Sequence, residues 1–306
     1  MKLVYSNELP ATEPDEKIAS LLSTINQEQL RQWVEGISVP RHFVSEAEQN
    51  RATAEWLEGM FREWGYRTQR QGPHANIVAL PEPKSQGAIL VGAHYDTVPE
   101  SPGADDNGSA VAAMLGCAAA CALRKPPLPV MFVAFNREEE HLTGSRDFVS
   151  SWLRQCGMRV HCAHVLEMVG FASDEPGSQK VPTGLPIKLP DRANFLGLLA
   201  NGDSSASMDL AMTQARTYLP DFPVLGLKVG LGLEKFFPVL GRSDHVPFWE
   251  AGLPALMWTD TSEFRNPNYH THGDLPETLN YPFLAQVTRS LTASVIAEAS
   301  GCGRAG

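Results

Sequence analysis

Three short apolar runs constrain this chain most. AILVGA (88–93), VMFVAF (130–135) and AHVL (163–166) lack polar alternation, so each reads as a strand buried on both faces. Such strands belong to a sheet covered by helices on both sides. Each run ends at or just before side chains with acid–base or metal-binding chemistry: His94, the pair Glu138–Glu139, and Glu167. In open α/β sheets the functional crevice lies beyond the carboxyl ends of the strands. GADDNGS (103–109) adds Asp105, and NPNYHTHGD (266–274) adds His270. Two imidazoles with several carboxylates suit a borderline cation such as Zn²⁺, and a carboxylate can bridge two of them. One further carboxylate is then free to act as a base toward water. Any of these residues alone reads more readily as a loop residue near a strand end. Their joint pattern points to a two-metal hydrolase.

In these motifs and their order, from about residue 75 to residue 296, the chain resembles the M28 peptidases. These are zinc-dependent aminopeptidases with a phosphorylase/hydrolase-like α/β fold. The resemblance implies that His94 of GAHYDT is a metal ligand and that Asp96 orients it. It implies that Asp105 of the ADDN segment bridges two zinc ions and that the peptide bond at Asp106 is cis. Glu138 is then the base and Glu139 a ligand, in the register set by Gly144-Ser145. His270 is the last ligand, and His272, two residues on, competes with it. On this assignment His94 and Glu167 hold one ion, Glu139 and His270 the other, and Asp105 both.

Two departures from the family matter. Glu167 stands where the family has aspartate, and a longer carboxylate still ligates. VLGR (239–242) stands where some relatives carry a tyrosine that steadies the oxyanion, which leaves Arg242 as the substitute by position. His245, in the matching segment SDHVPFWEAGLPA (243–255), is expected to line the substrate pocket, with a hydrogen-bonded structural role as the alternative.

The expected fold class is α/β, a mixed and largely parallel central sheet flanked by helices. At 306 residues it is read as a single metallopeptidase domain over 1–306. Residues 1–40 form an N-terminal helical segment, and 171–241 an insertion bordering the pocket. Helical spacing runs over 15–37 with a break, and Pro40 follows as a stop. Ser45 and Glu48 form an S-x-x-E capping box for a helix that Gly65 closes. YRTQRQ and ANIVALP read as paired strands, and FLGLLA (195–200), VLGLKVG (224–230) and PALMWTD (254–260) as further strands. Helices are expected near 110–123, 145–155, 205–217 and 282–298. The tail SGCGRAG is expected to fray.

A net charge of −10 without a long basic run argues against nucleic acid or an anionic membrane as partner. The N-terminus has no apolar core of a secretory signal, and no run reaches the roughly 18 apolar residues of a span. Five cysteines, an odd number, read as reduced thiols and with them a cytoplasmic location. The leading function is an exopeptidase acting on N-terminal residues of a peptide or small amide. The alternatives are an amidase of an N-acyl metabolite, a single-zinc acyl transferase resembling glutaminyl cyclases, and a relative that has lost its metals. Retention of Glu138 and a full ligand set argues against the last.

Overall fold

The computed structural model describes residues 1–80 and 87–302. The apolar runs become strands within one nine-stranded sheet: β1 (Lys2–Tyr5), β2 (Arg67–Gln71), β3 (Asn76–Leu80), β4 (Gly87–His94), β5 (Val130–Phe135), β6 (Arg159–Glu167), β7 (Leu196–Ala200), β8 (Val224–Lys228) and β9 (Ala255–Thr259). Their order is β1-β8-β7-β9-β6-β4-β5-β3-β2. The neighbours β9, β6, β4 and β5 run parallel, as do β7 and β8. The β7–β9 pair and the pairs toward both edges are antiparallel. The sheet is therefore mixed, with mostly parallel central strands.

Alternate residues of a strand face opposite sides, and the buried side chains sort accordingly. Ile89, Val91 and Ala93 of β4 join the cluster that includes α1 (Glu16–Leu22), α2 (Gln27–Ile37), α3 (Ala47–Glu63), α4 (Ala110–Leu123) and the closing helix Tyr281–Cys302. Ala88 and Leu90 join the opposite cluster, with Phe148, Val149 and Leu153 from the helical stretch after β5. That stretch runs Thr143–Asp147, a wider turn Phe148–Leu153, and Arg154–Cys156. The helical segment Ala104–Leu123 is apolar enough over 20 residues to span a membrane, but 83% of its apolar window is buried, as in the core helix of a globular protein.

Local differences from the sequence reading have local causes. The 15–37 pattern is two helices, because Asp15 accepts from Lys17 and Ile18 amides and Asn26 from the Glu28 amide, starting each helix separately. The Ser45/Glu48 capping box does not form. The Ser45 hydroxyl donates instead to the Glu46 carboxylate (2.7 Å), and α3 starts one residue later. Lys2–Tyr5, expected to be part of a helical segment, pairs antiparallel with β8 at the sheet edge. The tail expected to fray falls mostly on 303–306, outside the described residues.

Strand register aligns the site. His94 pairs with Phe135, Ala93 with Leu166, and Glu167 with Thr259. The carboxyl ends of β4, β5, β6 and β9 thus open on one crevice.

Candidate metal centre

Six side chains from five segments converge beyond those strand ends. His94 ends β4, Glu138 and Glu139 follow β5, Glu167 ends β6, Asp106 lies in the turn before α4, and His270 in the loop after β9. Asp106 joins the two histidines. Its Oδ1 lies 3.4 Å from His94 Nε2 and its Oδ2 3.0 Å from His270 Nε2. His94 Nε2 is also 3.5 Å from Glu167 and 4.0 Å from Glu138, while His270 Nε2 is 3.3 Å from Glu139. The donor atoms form two clusters, His94–Glu138–Glu167 and Asp106–Glu139–His270.

The sequence reading put Asp105 in this place, and the structure corrects it: the aspartate that faces both histidines is Asp106. Asp105 is fully buried and its oxygens are taken: Oδ1 accepts from Gly170 N (2.9 Å) and Oδ2 from Asn266 Nδ2 (2.7 Å). Burial raises its carboxyl, and it shares a hydrogen bond with Asp260, whose own carboxyl burial and Asp105 push well up. Which of the two adjacent aspartates enters the crevice is fixed from outside the motif. Asp274 accepts from both the Asp105 and Asp106 amides (2.9 and 3.0 Å). Gly103 turns the chain at φ 59°, where a Cβ would stand 2.3 Å from the Asp106 carbonyl. The cis peptide expected at Asp106 is the Asp106–Asn107 bond.

The adjacent glutamates are anchored through Asp96. Its carboxylate accepts from the Glu138 amide (3.2 Å) and the Glu139 amide (3.3 Å), and its Oδ1 lies 3.5 Å from His94 Nδ1. Asn136, just upstream, exchanges hydrogen bonds with Asn50 of α3 (3.0 and 3.1 Å). Gly144 packs so closely on this turn that a Cβ would sit 1.9 Å from the Asn136 carbonyl. Arg137, Met168 and His270 hold positive φ (60°, 42° and 56°) next to or at site residues. Such strain costs about 1–3 kcal/mol each and persists where surroundings over-determine it.

The fit to a divalent cation is tested by the lone pairs. His94 Nε2, Asp106 Oδ1 and Glu139 Oε1 are buried without a hydrogen-bond partner. Buried polar atoms are normally satisfied, so these unpartnered atoms, set among clustered imidazoles and carboxylates, fit a cation. Protonation equilibria agree. Burial opposes charge on His94, but Glu167, Glu138, Asp106 and Asp96 push its pKa well above normal. Burial likewise opposes charge on His270, yet Asp106 and Glu139 raise it to about 10. Burial raises Glu139 to about 7 and Glu138 well above the usual range. Asp106 is pulled down, because its contacts to His270 and His94 outweigh burial. This is a cavity with an excess of negative charge that draws in positive charge.

Glu167, despite its extra methylene, is held by Ser243 Oγ (2.7 Å). His272 lies outside the centre, exposed, with Nδ1 3.0 Å from the Glu100 carbonyl. Arg242 lines an apolar cavity of about 130 Å³ with Glu167 and Tyr269; Leu185, Leu199 and Leu227 form part of its wall. It is paired to Glu263, and its Nη2 donates to the Tyr269 hydroxyl (3.1 Å). His245 is a second correction. It does not line the cavity; its Nε2 is bonded to the Leu240 carbonyl (2.9 Å), its ring meets Trp249 edge-on, and burial lowers its pKa to about 4. Sequence reasoning missed Asp274, Ser243 and Tyr269. Of these only Tyr269, beside His270 and stacked on it at 3.8 Å, had a signal in its position.

The sequence profile of Peptidase family M28 matches residues 76–188 and 228–295. The uncharacterized protein YfbL of Escherichia coli (strain K12) is 32% identical over 260 residues, 77% of this chain and 76% of that one. Among solved structures, BSAP, a zinc aminopeptidase from Bacillus subtilis, aligns with 30% identity and a TM-score of 0.55, covering 73% of this chain and 49% of that one. LapA from Legionella pneumophila, an aminopeptidase, aligns with a TM-score of 0.74 over 94% of this chain and 78% of its own. At 23% identity that likeness speaks for the fold. The chain thus spans about three quarters of YfbL and about half of the BSAP chain.

Proposed function

Because this chain belongs to Peptidase family M28, we propose that it is a two-zinc aminopeptidase that removes apolar N-terminal residues from peptides. The observation that carries this reading is Asp106, whose two oxygens face two different histidines, with His94 Nε2 and its own Oδ1 buried and unpartnered. His94 and Glu167 would hold one ion and Glu139 and His270 the other, with Asp106 offering an oxygen to each. Lewis-acid activation of a water and of the scissile carbonyl is the chemistry such a pair supplies.

The chain's own groups do the rest. Glu138 is buried beside the cluster with a raised pKa, which suits a group that takes a proton from water and delivers it to the leaving amine. Asp96 fixes the His94 ring through Nδ1 and the two glutamate amides at once. The Tyr269 hydroxyl accepts from Arg242, which leaves its own O–H free to donate to the reacting carbonyl oxygen. The surplus carboxylates attract the substrate's ammonium. The apolar cavity beside Glu167 takes the first side chain. At about 130 Å³ it approaches the roughly 150 Å³ apolar cavity that binds benzene in an engineered protein.

Zinc titration of metal-stripped protein, followed by assay on leucyl and aspartyl p-nitroanilides with free or acetylated amines, tests the reading. Two equivalents of zinc, cleavage of the leucyl substrate, and loss of cleavage on acetylation are expected. A single equivalent, or efficient cleavage of the acetylated form, would overturn it in favour of a cyclase-like or amidase activity.

A further inference from the structure

We infer that Arg41 is a positioning residue for the metal centre: its guanidinium ties together the two ends of the loop that presents Asp96 and Asp106. The inference rests on reading those residues as parts of a cation site.

Arg41 is completely buried, which is rare for a charged side chain and costly unless its donors are satisfied. They are satisfied by main-chain carbonyls. Nε donates to Tyr95 (2.6 Å), Nη1 to Ile37 (2.9 Å), Val39 (3.1 Å) and Pro102 (2.6 Å), and Nη2 to Gly103 (2.9 Å). Tyr95 lies between His94 and Asp96. Pro102 and Gly103 lead directly into Asp105 and Asp106. One rigid planar group therefore closes the loop from its first residue to its last and pins it to the end of α2.

The same residue reaches the third arm of the site through its backbone. Its amide donates to Thr97 Oγ1 (3.1 Å), and its carbonyl accepts from Asn50 Nδ2 (2.9 Å). Asn50 in turn pairs with Asn136, two residues before Glu138. The hydrogen bonds of the guanidinium all go to neutral carbonyls, so its charge is balanced at longer range. Burial lowers its pKa to about 10, opposed by Asp274, Asp106, Asp96 and Glu139, in that order. These are the residues it positions, or their supports. Lysine cannot substitute, since an ammonium is a point donor without the planar fork.

The test is a Co²⁺ titration of metal-stripped full-length protein, read by visible absorbance and calorimetry, for wild type, Arg41→Lys and Thr97→Val. Supporting groups around metal sites typically contribute about 10–100-fold in affinity. Arg41→Lys, with native far-UV dichroism, should lose about that much and show an altered Co²⁺ spectrum. Thr97→Val removes one bond to the Arg41 amide and should lose a smaller factor, about two- to tenfold. A folded Arg41→Lys protein with wild-type affinity and spectrum, even with a lowered melting temperature, would reduce Arg41 to a core residue. Should Arg41→Lys not fold, unchanged affinity in Thr97→Val overturns the inference. Failure of wild type to bind Co²⁺ would remove the metal centre itself, a different result from either.

Discussion

Among the described residues, histidine meets acidic side chains in two regions that could hold a cation, and only the Asp106 centre keeps donors free for one. The other is Cys162, His164 and Glu298, which on composition and proximity could also hold a metal. Its donors are already committed. Trp258 Nε1, which can only donate, lies 3.2 Å from His164 Nδ1, so the imidazole proton sits on Nε2 and is given to Glu298 Oε2 (2.8 Å). The other Glu298 oxygen accepts from Ser207 (2.6 Å). A cation at His164 would have to break a satisfied network. At the Asp106 centre the corresponding atoms, His94 Nε2, Asp106 Oδ1 and Glu139 Oε1, have no partner. Residue types do not separate the clusters; unspent lone pairs do.

That contrast breaks if mutations at the Asp106 centre behave structurally, or if those at His164 affect zinc. The largest effect is expected in Glu138→Gln. Turnover should fall by about 10²–10⁴-fold, with zinc content by elemental analysis unchanged; loss of zinc would make Glu138 a ligand instead of the base. Next, Asp106→Asn should lose most bound zinc, while Asp105→Asn should keep it and lose stability through Asn266 and Gly170. The reverse result would restore Asp105 as the bridge. At the second cluster, His164→Phe strands the Trp258 N–H and Glu298. It should cost about 3 kcal/mol in denaturant unfolding with zinc affinity intact. A shift in zinc affinity would mean that the network acts on the site.

Much of the centre was legible in sequence because a buried strand announces itself by unbroken apolar residues, and the residue just past its end has few structural reasons to be His or Glu. His94, Glu138, Glu139 and Glu167 were found that way. The choice between Asp105 and Asp106 was not legible. The two are chemically identical neighbours, and the selection is made by Asp274, far along the chain, through two backbone amides. Arg41 was invisible for the opposite reason: one arginine after Pro40 looks like a surface charge until its carbonyl acceptors from residues 37–39 and 95–103 are brought around it. The edge strand β1 spans four residues, too few for periodicity to register. Ser45 carried the right capping signature, but the carboxylate of Glu46 beside it captured the hydroxyl.

The histidines sharpen the contrast once more, through pH. His94 and His270 face carboxylates and gain protons. His245 faces one carbonyl and an aromatic ring, and its pKa falls to about 4. A histidine exposed on unfolding titrates near 6.5, so between roughly pH 6.5 and pH 4 the unfolded chain binds a proton that the folded chain refuses. Stability from this residue is complete above pH 6.5 and declines as pH falls through that window. From these two pKa values the loss at pH 5 is about 2 kcal/mol. In His245→Gln the amide can still donate to Leu240 but does not titrate. Chemical denaturation at pH 7 and pH 5 should show a pH-dependent loss smaller by about that amount than in wild type. If both proteins lose stability equally on acidification, His245 is not held neutral in the fold.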